Sequence, residues 1–131
     1  MNEQQADLFD KIEGQITGLY EEVGLLSKKK PDGPMNKFKL RLINKLMIEA
    51  NGLLGEHYMP FEDFSSFDED ELPTTSDVIL ILSQYLKSMN KFRYDNTKIR
   101  YGNCYWILDD YDPNEEDENL WKETKESNFL K

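Results

Sequence analysis

The sequence predicts a mainly α fold: a three-helix antiparallel bundle with a short C-terminal β-hairpin and an acidic tail. Three observations predict it. Apolar residues recur at steps of four and three in three separate stretches, each long enough for a helix. Clusters rich in proline, glycine and charge, "KKKPDGP" and "HYMPFEDFSSFDEDELP", separate those stretches. A run of β-branched and aromatic residues then flanks Gly102 and Asn103. A chain of 131 residues suits one hydrophobic core, assigned here to residues 1–112, with residues 113–131 as a mobile or loosely docked acidic tail.

In residues 3 to about 27, Ile12, Ile16, Leu19, Val23 and Leu26 step by 4, 3, 4 and 3 and so lie on one helical stripe. Lys28, Lys29 and Lys30 suit the negative end of that helix dipole, and Pro31, Gly33 and Pro34 forbid continuation. A second helix is predicted from about Pro34, because proline fits a first helical position, where its missing N–H would have no partner anyway. Its stripe of Leu40, Ile43, Met47, Ala50 and Leu54 is widened by Leu42, Leu46 and Leu53, which predicts a central helix. Lys37, Arg41, Asn44 and Lys45 occupy the remaining face, and Gly52 and Gly55 mark the end.

Thr74 and Asp77 have the spacing of a capping box for a third helix, which runs to about Tyr94 on a stripe of Val78, Leu82, Tyr85, Met89 and Phe92. Beyond it, Gly102-Asn103 is predicted as the two-residue turn of a hairpin that leans on the helices through Tyr101, Tyr105, Trp106 and Ile107. Residues 109–126 hold nine acids against two bases and contain Pro113, which predicts disorder or a short docked helix using Leu120 and Trp121.

Charge narrows the function. The chain has 16 Lys and Arg against 26 Asp and Glu, a net charge of −10 that repels nucleic-acid phosphates and favours a basic partner. Cys104 is the single cysteine, so no internal disulfide forms, and the opening residues lack a secretion signal; the expected location is cytoplasmic. The longest apolar run, residues 78–82, is far short of the ~20 residues that span a bilayer, so no membrane role is expected. Residues 28–45 carry seven bases and one acid, and residues 56–77 carry eight acids and no Lys or Arg.

Within the acidic stretch, Tyr58, Phe61, Phe64 and Phe67 recur every third residue, interleaved with or followed by Glu62, Asp63, Asp68, Glu69, Asp70 and Glu71. That spacing is compatible with consecutive turns or a 3₁₀ stretch. In one arrangement the rings plug the end of the bundle and the carboxylates fold over the basic face of the second helix. In the other the rings stay exposed as anchors inside an acidic rim.

Metal and catalytic patterns fit poorly. A calcium loop started at Asp68 meets Leu72 and Pro73 at positions five and six; one started at Asp110 has Asp112 and Asn114 but Glu115 where glycine belongs and Trp121 at position twelve. No metal or other cofactor is expected. The single conceivable nucleophilic dyad is Cys104 with His57, the only histidine, and its local sequence carries no catalytic signature. No Gly-rich phosphate loop is present, since Gly14 to Gly18 is not followed by Lys-Ser or Lys-Thr. Those two glycines lie opposite the apolar stripe of the first helix, where each costs ~1 kcal/mol against alanine, and so suggest close approach by a partner helix or a second copy.

The sequence therefore predicts a non-enzymatic acidic module that occludes or regulates a basic protein, in the manner of immunity, antitoxin or anti-defence proteins. The expected contact residues are Tyr58, Phe61, Glu62, Asp63, Phe64, Phe67, Asp68, Glu69, Asp70 and Glu71, with Asp109, Asp110 and Asp112 beside them. The alternatives are a DNA-mimicking inhibitor of a nucleic-acid-binding protein and an enzyme of unfamiliar type using Cys104 and His57. A homodimer through the Gly14/Gly18 face is a further expectation.

Overall fold

A computed structural model of the protein describes residues 1–109 and 122–124. Three helices, α1 (Glu3–Lys29), α2 (Lys37–Tyr58) and α3 (Thr75–Asp95), pack on one another as the antiparallel bundle the sequence predicts. The strands β1 (Thr97–Arg100), β2 (Asn103–Trp106) and β3 (Lys122–Thr124) follow and form one antiparallel sheet in that order. Among the described residues, no helix is long and apolar enough to cross a membrane.

Each helix begins where a side chain can satisfy its free N–H groups. Asn2 and Gln5 form a reciprocal capping box at α1, with bonds of 2.8 and 2.9 Å. Thr74 and Asp77 do the same at α3, as their spacing predicts. The start of α2 differs from the expectation. Asn36 is its cap, accepting from the N–H groups of Phe38 and Lys39, and Pro34 stands two residues before that cap in a β-bridge with Thr74.

Pro34 is recruited there because the turn after α1 is stitched to the start of α3. The Thr75 hydroxyl donates to the Lys30 carbonyl at 2.7 Å, its N–H donates to the Gly33 carbonyl, and the Met35 N–H donates to the Pro73 carbonyl. At the other end of α2, Gly55 takes φ +71°, a left-handed conformation that breaks the helix one turn before Tyr58. Gly52 lies inside the helix and does not mark its end.

The core joins Phe9, Ile12, Ile16 and Val23 of α1 to Leu40, Ile43, Met47 and Ala50 of α2, Val78, Leu82, Tyr85 and Met89 of α3, and Trp106 of β2. The α1 stripe is displaced toward its N-terminus relative to the prediction. Ala6 and Phe9 are buried, whereas Leu26 is 37% exposed. Gly14 lies mid-helix, and a Cβ built there meets nothing within 4 Å. Gly14→Ala is expected to raise the unfolding free energy by about 0.5–1 kcal/mol in urea titration, since alanine adds helix propensity without a clash.

The hairpin turn sits one residue earlier than predicted. Arg100 pairs with Asn103, so Tyr101 and Gly102 form the two-residue turn, with φ +53° and +81°. The ladder is also tied to α3. Asn96 caps the helix and also accepts from the Ile107 N–H at 2.9 Å, so the ladder begins directly at the helix end. The third strand was not anticipated: residues 122–124, assigned from sequence to the tail, pair with residues 104–106 of β2. The predicted helix around Leu120 and Trp121 lies outside the described residues.

Candidate functional site

Residues 59–74 connect α2 to α3 without a 3₁₀ helix; the chain runs through bends and a turn. Its rings form an edge-to-face row. Phe67 meets Phe64 at 5.0 Å, Phe64 meets Phe61 at 5.9 Å, and Phe61 reaches the buried Tyr85 at 6.5 Å. Tyr58 packs edge-on against Phe92 at 5.0 Å. All four predicted aromatics are half-buried against the core, so the threefold spacing serves to cover the bundle between α2 and α3.

One polar side chain holds this segment in place. The Asn44 amide on α2 donates to the Phe67 carbonyl at 2.9 Å and accepts from the Phe67 N–H at 2.8 Å, the two-bond clamp that a backbone neighbour in a sheet would supply. Asn44→Ala is expected to cost about 1–3 kcal/mol, the sum of two bonds of ordinary strength. Urea unfolding measures that loss, and faster exchange of the Phe67 amide would localise it.

The carboxylates divide into two groups. Glu69 pairs with Arg41 at 3.3 Å and Asp70 with Lys37 at 3.6 Å, so this part of the segment does fold over the basic face of α2. Asp70 remains 89% exposed, and pairs of this kind orient a loop more than they stabilise it. Asp68 accepts from the Asp70 N–H at 2.9 Å and shapes the turn. Glu62, Asp63, Asp68 and Glu71 are exposed. Asp109 bonds the Met1 amino group, and Asp110 and Asp112 lie outside the described residues.

The remaining candidates are dispersed over the fold. His57 lies exposed at the end of α2 with its ring edge-on to Tyr58, while Cys104 pairs with Ile99 and Thr124 in the middle strand of the sheet. The Tyr58 hydroxyl donates to Asp95 at 2.8 Å; that bond pushes the tyrosine pKa up and holds the Asp95 carboxyl below its ordinary range. Among the described residues, no group of three His, Cys, Asp or Glu side chains could hold a metal ion.

A second polar cluster went unseen in the sequence. Arg93 of α3 is buried, and its guanidinium bonds Asp10 at 2.7 Å, Glu13 at 3.0 Å and the Thr124 hydroxyl of β3. It lies over the rings of Trp106 and Phe9, at 4.9 and 5.5 Å from their centroids. Asp10 also accepts from Thr124 at 2.7 Å and from the Trp106 indole N–H at 3.3 Å. Burial pushes the Glu13 pKa up from 4.5 against the opposing pull of Arg93. A signal for this cluster did exist: Arg93 follows Met89 by four residues and adjoins Phe92, so it places a charge on the apolar face of α3.

Chemically, the cluster is held together by its own hydrogen bonds and joins α1, α3, β2 and β3. The outward carboxylates of residues 62–71 are a surface that attracts cations and basic side chains. Comparison with known proteins adds no assignment: no family model, curated protein or solved structure matches the chain.

Proposed function

We propose that the protein is a non-catalytic acidic module that docks on a basic protein surface and so occludes or regulates it. The observation that carries this reading is the display of Glu62, Asp63, Asp68 and Glu71, exposed on a segment whose rings face the core and whose backbone is clamped by Asn44. A pre-ordered acidic surface loses little entropy on binding and speeds encounter with an oppositely charged one. The rings act as the frame of the site, and the carboxylates make the contact. A separate surface, the Gly14/Gly18 face of α1, is read as a contact between two copies of the chain.

The test is affinity capture from the native cell at low and high salt, using the full chain and a variant with Glu62→Gln, Asp63→Asn, Asp68→Asn and Glu71→Gln. The wild type is expected to retain a basic protein at low salt and release it at high salt. The variant should associate about tenfold more slowly with that protein, with a flatter salt dependence. Equal binding by both chains would remove the acidic segment from the site. Displacement of the captured protein by duplex DNA would replace this reading with that of a DNA mimic.

A further inference from the structure

Along the outer side of α1 and α2 runs an open groove of about 540 Å³, lined by Leu8, Ile12 and Leu19 of α1 and by Leu42 and Leu46 of α2, with Gly18 on its wall. Leu8 and Leu42 are each 42% exposed. A Cβ added to Gly18 would meet nothing within 4 Å, so another backbone can come close to α1 there.

The order of residues along this side of α1 names the occupant. Leu8, Lys11, Gln15, Gly18, Glu22 and Leu25 step by 3, 4, 3, 4 and 3, all six are exposed, and together they share one face of α1 as a seam at heptad spacing, with a leucine at each end and polar residues between. Read backwards, the seam is its own complement. In an antiparallel pair of α1 helices related by a twofold axis between Ile16 and Thr17, Leu8 meets Leu25 of the other copy, Lys11 meets Glu22, and Gln15 lies over Gly18, each contact occurring twice.

We infer that a second copy of this chain docks antiparallel along this seam, with α1 of each copy lying in the α1/α2 groove of the other. Charge favours a like chain over the basic partner of the acidic segment. The groove carries Lys11 and Lys45 together with Glu22 and Glu49, both signs in equal number, so it does not select for a basic surface. Glu22 bonds Lys39 at 2.9 Å through one oxygen and is still 56% exposed, which leaves its other oxygen for Lys11 of the second copy.

The experiment is sedimentation velocity of the full chain across a concentration series, with thermal unfolding as the check on fold. The wild type is expected to pass from monomer to dimer. Lys11→Glu and Glu22→Lys should each weaken self-association about tenfold, because each reverses two symmetry-related contacts at once. Mixing these two single variants should restore a dimer, since one copy then presents two acids to two bases on the other; the double variant K11E/E22K should also recover. A wild type that stays monomeric throughout, or a dimer indifferent to these reversals, overturns the proposal. The four-amide variant of residues 62–71 should still dimerise, so this surface and the acidic one fail independently.

Discussion

Arg93→Ala is expected to lower the unfolding free energy by about 3–5 kcal/mol, the usual cost of removing one partner from a buried ionic cluster. The Arg93 side chain is 5% exposed and faces the carboxylates of two partly covered side chains, Glu13 at 18% and Asp10 at 32% exposure. Without it those carboxylates keep their desolvation and lose their compensation, while Phe9 and Trp106 lose the cation over their rings. Lysine is a poor substitute, because a point charge cannot bond Asp10, Glu13 and Thr124 with one planar fork. Removing all the charge together, as Arg93→Met with Asp10→Asn and Glu13→Gln, should recover much of the loss. Urea unfolding of the three chains would decide this; a loss below about 1 kcal/mol for Arg93→Ala would show that the cluster is solvated and unimportant to stability.

The pH dependence follows from Glu13. Its folded pKa stands above the ordinary 4.5, so between the unfolded and folded values the native state holds more protons than the unfolded chain. Stability from this group is therefore highest in acid, falls as pH rises through the folded value, and is level beyond it. In Arg93→Ala the charge and hydrogen bonds that oppose the rise are gone, so the Glu13 pKa climbs further and the fall with pH deepens. The gap between wild type and variant should narrow as pH is lowered toward 4.5 and be widest near neutrality.

The helices were readable because each carries a signal local to itself. Apolar spacing, the Thr74–Asp77 box and the lysines ending α1 depend on residues within a few turns of one another. What the sequence hid depends on residues far apart. Pro34 was misplaced because its conformation answers to Thr74, and β3 was missed because three residues make a strand only when β2 lies beside them. The acidic segment is legible in the sequence as a run of charge and only in part as geometry. Its period of three allowed the rings to share a side; that Phe67 is held by Asn44, 23 positions away, could not be seen in either stretch alone. Glu69 and Asp70 belong to the same run of charge, yet they pair with Arg41 and Lys37, whereas Glu62, Asp63, Asp68 and Glu71 are exposed.

Trp106→Ala should cost about 3–5 kcal/mol, within the range for deleting a fully buried aromatic side chain. The indole is the one side chain of β2 buried in the core; it packs edge-on to Phe9 at 5.1 Å and tilted to Phe92 at 6.4 Å, and it donates its N–H to Asp10. Because a sheet of short strands is marginal when it stands alone, the loss should fall first on the attachment of the sheet and only then on the bundle. Hydrogen exchange should show this as early loss of protection in the β1–β2 ladder, with the amides of α2 retained. Trp106→Phe keeps an aromatic ring against Phe9 and gives up the bond to Asp10, so its cost should stay nearer 1–2 kcal/mol. Since Arg93 lies over the same indole and bonds the same carboxylate, the double variant with Arg93→Ala should be less destabilised than the two losses summed, by about 0.5–3 kcal/mol. Simple additivity, with exchange protection lost evenly across helices and sheet, would mean that Trp106 fills space in the core without anchoring the sheet to Asp10 and Arg93.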